Sequence, residues 1–329
     1  MSASAAILLA FGAMVSVRGG AAPAASGLRP PGAAEVVYVG NEGFLLVANG
    51  RKILIDALFR MEDPELPPPE VRDAIEDGQP PFDDVDLILA THAHVDHFRA
   101  LSVAACLRKN PRAVFVGPPQ TVQQLRDSVS DLGPLETRVR TIGVPPGESA
   151  AMDVSGIRIV VMSSGHSGMP DVQNYMYLVE WDGFTAFHEG DTSTRESLAP
   201  WGLAEEDIDV AFFHFGRLYR PGGMNLLEET LRARYFVPMH FAYTTAPALA
   251  AQVEDMVRDF QNVRYLKHPL EHVLLLEGPY LGQKPPGMTP ELFAPGIVSK
   301  EGFRPGCSWL RTGPKSSTGN GSPSRTENA

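Results

Sequence analysis

Apolar residues in this chain gather in short runs separated by Gly, Pro, Asn and Asp. Glu35 to Gly40 (EVVYVG), Gly43 to Ala48 and Arg51 to Ile55 read as strands. The last two are joined by Asn49-Gly50, a strong two-residue hairpin signal. Asp86 to Ala90 (DLILA) is a continuous apolar run of strand length, the mark of a strand covered on both faces. Ala113 to Val116, Ile157 to Met162, Tyr175 to Trp181, Phe184 to Phe187, Ile208 to Phe213 and Tyr235 to Pro238 read the same way, and Asp182-Gly183 turns another hairpin. Phe98 to Arg108, Gln120 to Val129, Asn225 to Ala233 and Ala246 to Phe260 read as helices. In the last of these, Leu249, Val253 and Val257 recur four apart. Met61 to Phe82, rich in Pro and acidic residues, predicts a long surface loop with a short helix at Glu70 to Glu76. Strands dominate early and alternate with helices later. That order predicts two sheets packed face to face with helices outside, an α+β sandwich.

Composition narrows the classes. Of 329 residues 43% are hydrophobic, enough for a large core. The net charge of −11 argues against a nucleic-acid partner bound by counterion release. Two cysteines, Cys106 and Cys307, exclude a disulfide scaffold and a Cys-rich zinc module. Cys106 lies in an apolar helical pattern and reads as an inert core thiol. Ala5 to Val17 is too short an apolar run for a membrane span. With the small residues Gly19 to Ser26 behind it, it reads as an export leader, although no Lys or Arg stands ahead of it. The expected organisation is a leader over 1–26, a folded domain over 35–281 and a Pro/Gly/Ser-rich tail over 282–329. No membrane span remains once the leader is removed, and the protein is expected in the periplasm or outside the cell, or in the cytoplasm if the segment is not a signal.

The chemistry concentrates in the histidines. Thr91-His92-Ala93-His94-Val95-Asp96-His97 follows the strand DLILA. His92 and His94, two apart in extended chain, project to one side and can hold one metal ion. Asp96 and His97, at the turn into the next helix, can hold a second beside it. His166, Asp191 and His240 each follow a predicted strand, in the stretches SSGH, HEGDT and VPMH. Any one alone is weak evidence; strand ends meeting on one rim would make a site. Imidazole nitrogen and carboxylate oxygen are donors that zinc accepts. Asp56, at another strand end, suits either a partner that orients a ligand histidine or a capping carboxylate.

With THAHVDH, GH, GDT and PMH in this order, the chain resembles the metallo-β-lactamase superfamily from about Glu35 to His272. The resemblance implies the four-layer αβ/βα sandwich with a metal site at one sheet edge. It implies that His92, His94 and His166 bind one metal, that Asp96, His97 and His240 bind the second, and that Asp191 bridges them. The opening YVGNEGFLLVANGRKILIDALF is similar to the lactonase and phospholipase-D-like branch. Branch members have a Pro-Gly-Gly-like stretch where this chain has His214-Phe215-Gly216-Arg217.

The expected activity is a hydrolase with two zinc ions, Mn or Fe being alternatives. It would use metal-activated hydroxide on an ester, lactone or phosphodiester, a small-molecule substrate. Asp96 both ligates and steers the nucleophile, and a metal-bound water or a side chain such as His214 or His188 protonates the leaving group. Arg217 or Arg220, in the loop LYRPGG, suits a phosphate or carboxylate. Competing readings are a mononuclear-iron oxidoreductase like the persulfide dioxygenases, a β-lactam hydrolase, and a binding protein with a relic site.

Overall fold

The computed structural model describes residues 34–62, 65–241 and 247–275. The expected leader, the tail and Cys307 lie outside these residues. Strands and helices are numbered in chain order.

One sheet has seven strands in the order β15 (His272–Leu275), β1 (Ala34–Gly40), β2 (Gly43–Ala48), β3 (Arg51–Ile55), β6 (Leu87–Leu89), β7 (Val114–Gly117) and β8 (Val139–Thr141). Its β15 to β3 half is antiparallel and its β3 to β8 half parallel. The other sheet has six: β14 (Tyr235–Met239), β13 (Val210–His214), β12 (Phe184–His188), β11 (Gln173–Trp181), β10 (Ile157–Gly165) and β9 (Ser149–Val154). There β14, β13 and β12 run parallel, and the rest antiparallel. The helices are α1 (Pro69–Glu76), α2 (Ala100–Lys109), α3 (Pro119–Ser128), α4 (Gly223–Leu231) and α5 (Pro247–Val257). Among the described residues no helix is long and apolar enough to cross a membrane.

The strand period of two explains the layers. Phe44 and Leu46 of β2, Ile53 of β3, and Leu87 and Leu89 of β6 point between the sheets. They meet Ile159, Val161, Tyr177, Phe212 and Val237 of the second sheet. The alternate residues Leu45, Leu54 and Ile88 point outward into a layer with Val71, Ile75, Val103, Leu107, Val122 and Leu125 of α1, α2 and α3. On the opposite outer face, Phe187, Ala211, Phe213 and Phe236 pack with Leu227, Leu231 and Val253 of α4 and α5. The result is the four-layer α+β sandwich that the strand and helix order predicts. Because both faces of the central strands are covered, their sequences carry no polar alternation.

The stretch from Met61 to Phe82 departs from the expected surface loop. It carries a two-stranded ribbon, β4 (Met61–Glu62) with β5 (Glu65–Leu66), as well as α1. Leu66, Val71, Ile75 and Phe82 are buried in the outer layer. The few apolar residues among the prolines are what dock it.

Topology gathers one set of strand ends. In the second sheet β10, β12, β13 and β14 all run the same way, so the segments after them share an edge. In the first sheet β1, β3 and β6 do likewise. Where the two edges meet, the turn after β1, Asp56 after β3 and the histidine motif after β6 face His166, Asp191, His214 and His240.

Candidate metal centre

All seven residues singled out as ligands converge. Asp191 is the hub: its Oδ2 is 3.3 Å from His166 Nε2 and 3.9 Å from His92 Nε2 and His97 Nε2. Its Oδ1 is 3.2 Å from His240 Nε2 and 3.8 Å from His214 Nε2. His92 Nε2 and His94 Nδ1 are 3.0 Å apart. Donor atoms of His92, His94, His166 and Asp191 lie within 4.8 Å of one another, as do those of Asp96, His97 and His240.

Hydrogen bonds on the far side of each ring set its tautomer. His97 Nδ1 donates to Asp56 Oδ2 at 2.8 Å, so the Nε2 lone pair faces inward, 3.4 Å from Asp96 Oδ2. His166 Nδ1 donates to the Ser167 carbonyl at 3.0 Å, which turns its Nε2 lone pair toward Asp191. Thr91 Oγ1 donates to Asp56 Oδ2 at 2.6 Å and so accepts from His92 Nδ1 at 2.9 Å. Burial, with neighbouring His97, holds the His92 imidazole well below its usual range. Burial, then His166, lowers His94 in the same way.

With the rings neutral, these bonds leave Nε2 lone pairs facing Asp191; against burial, Glu42 with Asp56 and Asp96 raises the His97 imidazole well above its usual range, so positive charge is favoured there. His97 Nε2, His166 Nε2 and Asp191 Oδ1 are buried without a hydrogen-bond partner. Acceptors aimed at one another at such distances in a dry site repel, and a cation between them is the natural compensation. The donor set therefore fits divalent metal.

The backbone around the centre is tightly constrained. Asn41, Asp56 and His240 all have positive φ, at 49°, 45° and 71°, a region that non-glycine residues seldom occupy. Such strain gathers where surrounding structure fixes a functional group. His240 is held by its N–H to the Asn41 carbonyl at 3.1 Å. Gly190 has a φ of +58°, and a Cβ there would stand 2.9 Å from both Asn174 Oδ1 and Thr91 Cβ. Only glycine lets the chain pass and present Asp191, whose N–H bonds Asn174 Oδ1 at 3.1 Å. Asn174 Nδ2 also donates to Ser164 Oγ and Thr192 Oγ1.

Asp56 proves to be the orienting partner. It is buried and takes hydrogen bonds from Thr91 N, Thr91 Oγ1 and His97 Nδ1. The two candidate proton donors separate. His188 is buried with both ring nitrogens engaged: Nε2 donates to the Glu42 carbonyl at 3.0 Å, and Nδ1 accepts from Gly190 N at 3.2 Å. Its ring packs near Phe44 and Phe212, so it is structural and not a proton donor. His214 instead ends β13 at the centre, stacked on His240 with ring centroids 4.4 Å apart. Its Nδ1 accepts from Gly216 N at 2.9 Å, so the proton sits on Nε2. Burial, then His240, lowers its pKa to about 3, which keeps the ring neutral.

Arg217 is likewise a correction. It is buried, with Nε 2.6 Å from Oε1 of the fully buried Glu189 and Nη1 on the Glu196 carbonyl. Glu189 also accepts from His214 N. Burial, opposed by Arg217, raises the Glu189 carboxyl to about 7. This pair fastens the turn at Phe215–Tyr219 beneath His214, and its bonds engage the Arg217 guanidinium. Arg220 is exposed. With Arg195 it lines a cleft of about 210 Å³ that shares the segment after Asp191 and the turn after His214. His268 and His272 are exposed and lie outside the cluster.

The sequence reading missed Asn41, Glu42, Asn174 and Glu189. Asn41 Nδ2 holds Asp96 Oδ2 at 3.1 Å. Glu42 is fully buried, and burial, with His97 opposing it, pushes its carboxyl well above the usual range. The one signal for Glu42 was a charged residue in a tight turn between two mostly apolar strands.

Comparison with known proteins agrees with this geometry. Residues 51–256 match the family model described as the beta-lactamase superfamily domain. A UPF0173 metal-dependent hydrolase of Thermococcus kodakarensis is 30% identical over 230 residues, 68% of this chain and 91% of the relative. A UPF0173 metal-dependent hydrolase of Pyrococcus furiosus is 30% identical over 224 residues, 67% of this chain and 89% of the relative. Among solved structures, Igni18, a metallo hydrolase from Ignicoccus hospitalis, is 23% identical with a TM-score of 0.52. It is matched over 74% of this chain and 98% of its own, and supports the fold. The chain therefore belongs to the metallo-β-lactamase superfamily and is a metal-dependent hydrolase.

Proposed function

We propose that the chain is a dinuclear zinc hydrolase acting on an ester, lactone or phosphodiester. His92, His94 and His166 would hold one ion, and Asp96, His97 and His240 the other, with Asp191 shared between them. The observation that carries this reading is the placement of Asp191: its Oδ2 lies near His166, His92 and His97 and its Oδ1 near His240, so one carboxylate reaches residues of both proposed sites. Zinc at such a centre supplies acidified water at neutral pH and polarises the substrate oxygen.

The chain's own groups do the remaining work. Asp96, the most open carboxylate of the set at 25% exposure, orients the attacking water by accepting its hydrogen bond. Asn41 fixes that carboxylate. His214 is the proposed catalytic donor. A pKa of about 3 makes it a neutral donor at Nε2. It then steadies an oxygen of the substrate or leaving group by a hydrogen bond and does not carry a full charge to it. Arg195 and Arg220 line a cleft together with Glu196, and a substrate with an anionic portion would suit the two guanidinium groups. A screen of the zinc-reconstituted chain over phosphodiesters, lactones, thioesters and β-lactams tests the proposal. Turnover of a phosphodiester or ester is expected. Turnover of β-lactams alone, or oxygen uptake with a persulfide by an iron-loaded chain, would overturn it.

A further inference from the structure

Glu42 has no role in the account so far, yet its carboxylate is buried and neither oxygen is hydrogen-bonded. It sits in the turn between β1 and β2. The nearest basic atom, His97 Nδ1, is 3.6 Å from Oε2, and it already donates its proton to Asp56 Oδ2 at 2.8 Å. A carboxylate removed from water without donors is strongly unfavourable. In its acid form it would still leave a buried hydroxyl with no acceptor. The compensation is positive charge: a His97 imidazolium, or a bound cation that takes its place.

The surroundings hold Glu42 beside the metal centre. Its oxygen, a ring nitrogen of His97 and a carboxylate oxygen of Asp191 lie within 4.8 Å of one another. Its carbonyl accepts from His188 Nε2, and the preceding carbonyl, of Asn41, accepts from His240 N. On the other side Gly43 packs directly on the chain after β3: a Cβ there would meet the Asp56 carbonyl at 2.8 Å. The turn is thus tied to the segments that carry His97, Asp191 and His240.

We propose that Glu42 is a further protein ligand of the metal centre, serving the ion on the His97 and His240 side. This rests on the two-ion reading above. It would give that ion three carboxylates, Asp96, Asp191 and Glu42, against two imidazoles. The other ion has three imidazoles and the shared Asp191. The Glu42 side should therefore accept harder, oxygen-seeking ions such as Mn²⁺ more readily than the other.

The test is Glu42→Gln in the full chain, which keeps size and removes the charge. Metal affinities are measured by chelator competition, and the visible spectrum is recorded after cobalt substitution. Expected are an affinity for the second ion weakened about tenfold or more, an unchanged first ion and an altered spectrum for the second cobalt only. Two ions bound with wild-type affinity and spectrum would overturn the assignment while leaving the two-ion reading intact. A wild-type chain that takes up no second ion would overturn both. Should the Gln variant fail to fold, Glu42→Asp keeps the charge one methylene short. Weakened second-ion binding then supports the assignment, and full affinity overturns it.

Discussion

Asp56→Asn isolates how the fold prepares a ligand before any ion arrives. Asp56 is buried, and its Oδ2 accepts from both Thr91 Oγ1 at 2.6 Å and His97 Nδ1 at 2.8 Å. Asn keeps the shape and one acceptor, which stays with Thr91 N. The amide nitrogen then stands where Oδ2 was and faces two donors. Thr91 can rotate its hydroxyl; His97 cannot rotate its ring within a packed wall. The imidazole is forced to move its proton to Nε2, the atom that faces Asp96 and Asp191. A hydrogen bond to a charged group contributes about 1.5–3 kcal/mol, and loss of an outer partner of a ligand histidine typically weakens metal binding about 10–100-fold. The two magnitudes agree. The Asn variant should therefore fold and bind the His97-side ion about 10–100-fold more weakly, with a smaller loss at the other ion, because His92 leans on Asp56 only through the Thr91 hydroxyl. Chelator competition reads the affinities, and circular dichroism with a thermal melt checks the fold. Unchanged affinity for both ions would refute the reasoning, because it would mean that the His97 tautomer does not depend on Asp56.

Asp191→Ala should abolish turnover and lower metal content, since both carboxylate oxygens sit among ring nitrogens; retention of both ions and normal rates, by metal analysis and assay, would remove it from the centre. Arg217→Met leaves Glu189 buried without its partner and should destabilise the chain by about 3–5 kcal/mol, seen as a lower denaturation midpoint. A midpoint like that of the wild type would show that the pair does not hold the turn. Burial pushes the Cys106 thiol up to about 12, so below that pH it is neutral and enclosed. In a Cys307→Ser chain at pH near 8, a disulfide reagent should label nothing until denaturant is added, and rapid labelling of the native chain would contradict the burial of Cys106.

Much of the fold was legible because local signals and tertiary demands coincide. Asn49-Gly50 and Asp182-Gly183 turn their hairpins with both residues at positive φ, as the pairs predict. LIL of β6 is buried on both faces, so its unbroken apolar run was informative. β8 and β9 were not legible. They are the outermost strands of their sheets, and β9 reads SAAMDV with alternating exposure and few β-formers, so pairing rather than propensity makes it a strand. The clustering of the seven side chains singled out as ligands could be anticipated because they are rare residue types at strand ends. His188 and His214 could not be told apart from sequence, since each closes an apolar strand; only partners brought from Glu42, Gly190 and Gly216 decide which ring faces the centre. Arg217 and Glu42 escaped for the same reason. A charge within a turn reads as exposed unless long-range packing buries it.

The central claim is that two cations share Asp191 and together make the chain active. Stepwise addition of zinc to the metal-free chain, with binding and hydrolysis followed in parallel, tests it most directly. Activity that appears fully only as a second equivalent binds is the predicted result. Full activity at one equivalent, or no second equivalent bound, would contradict it.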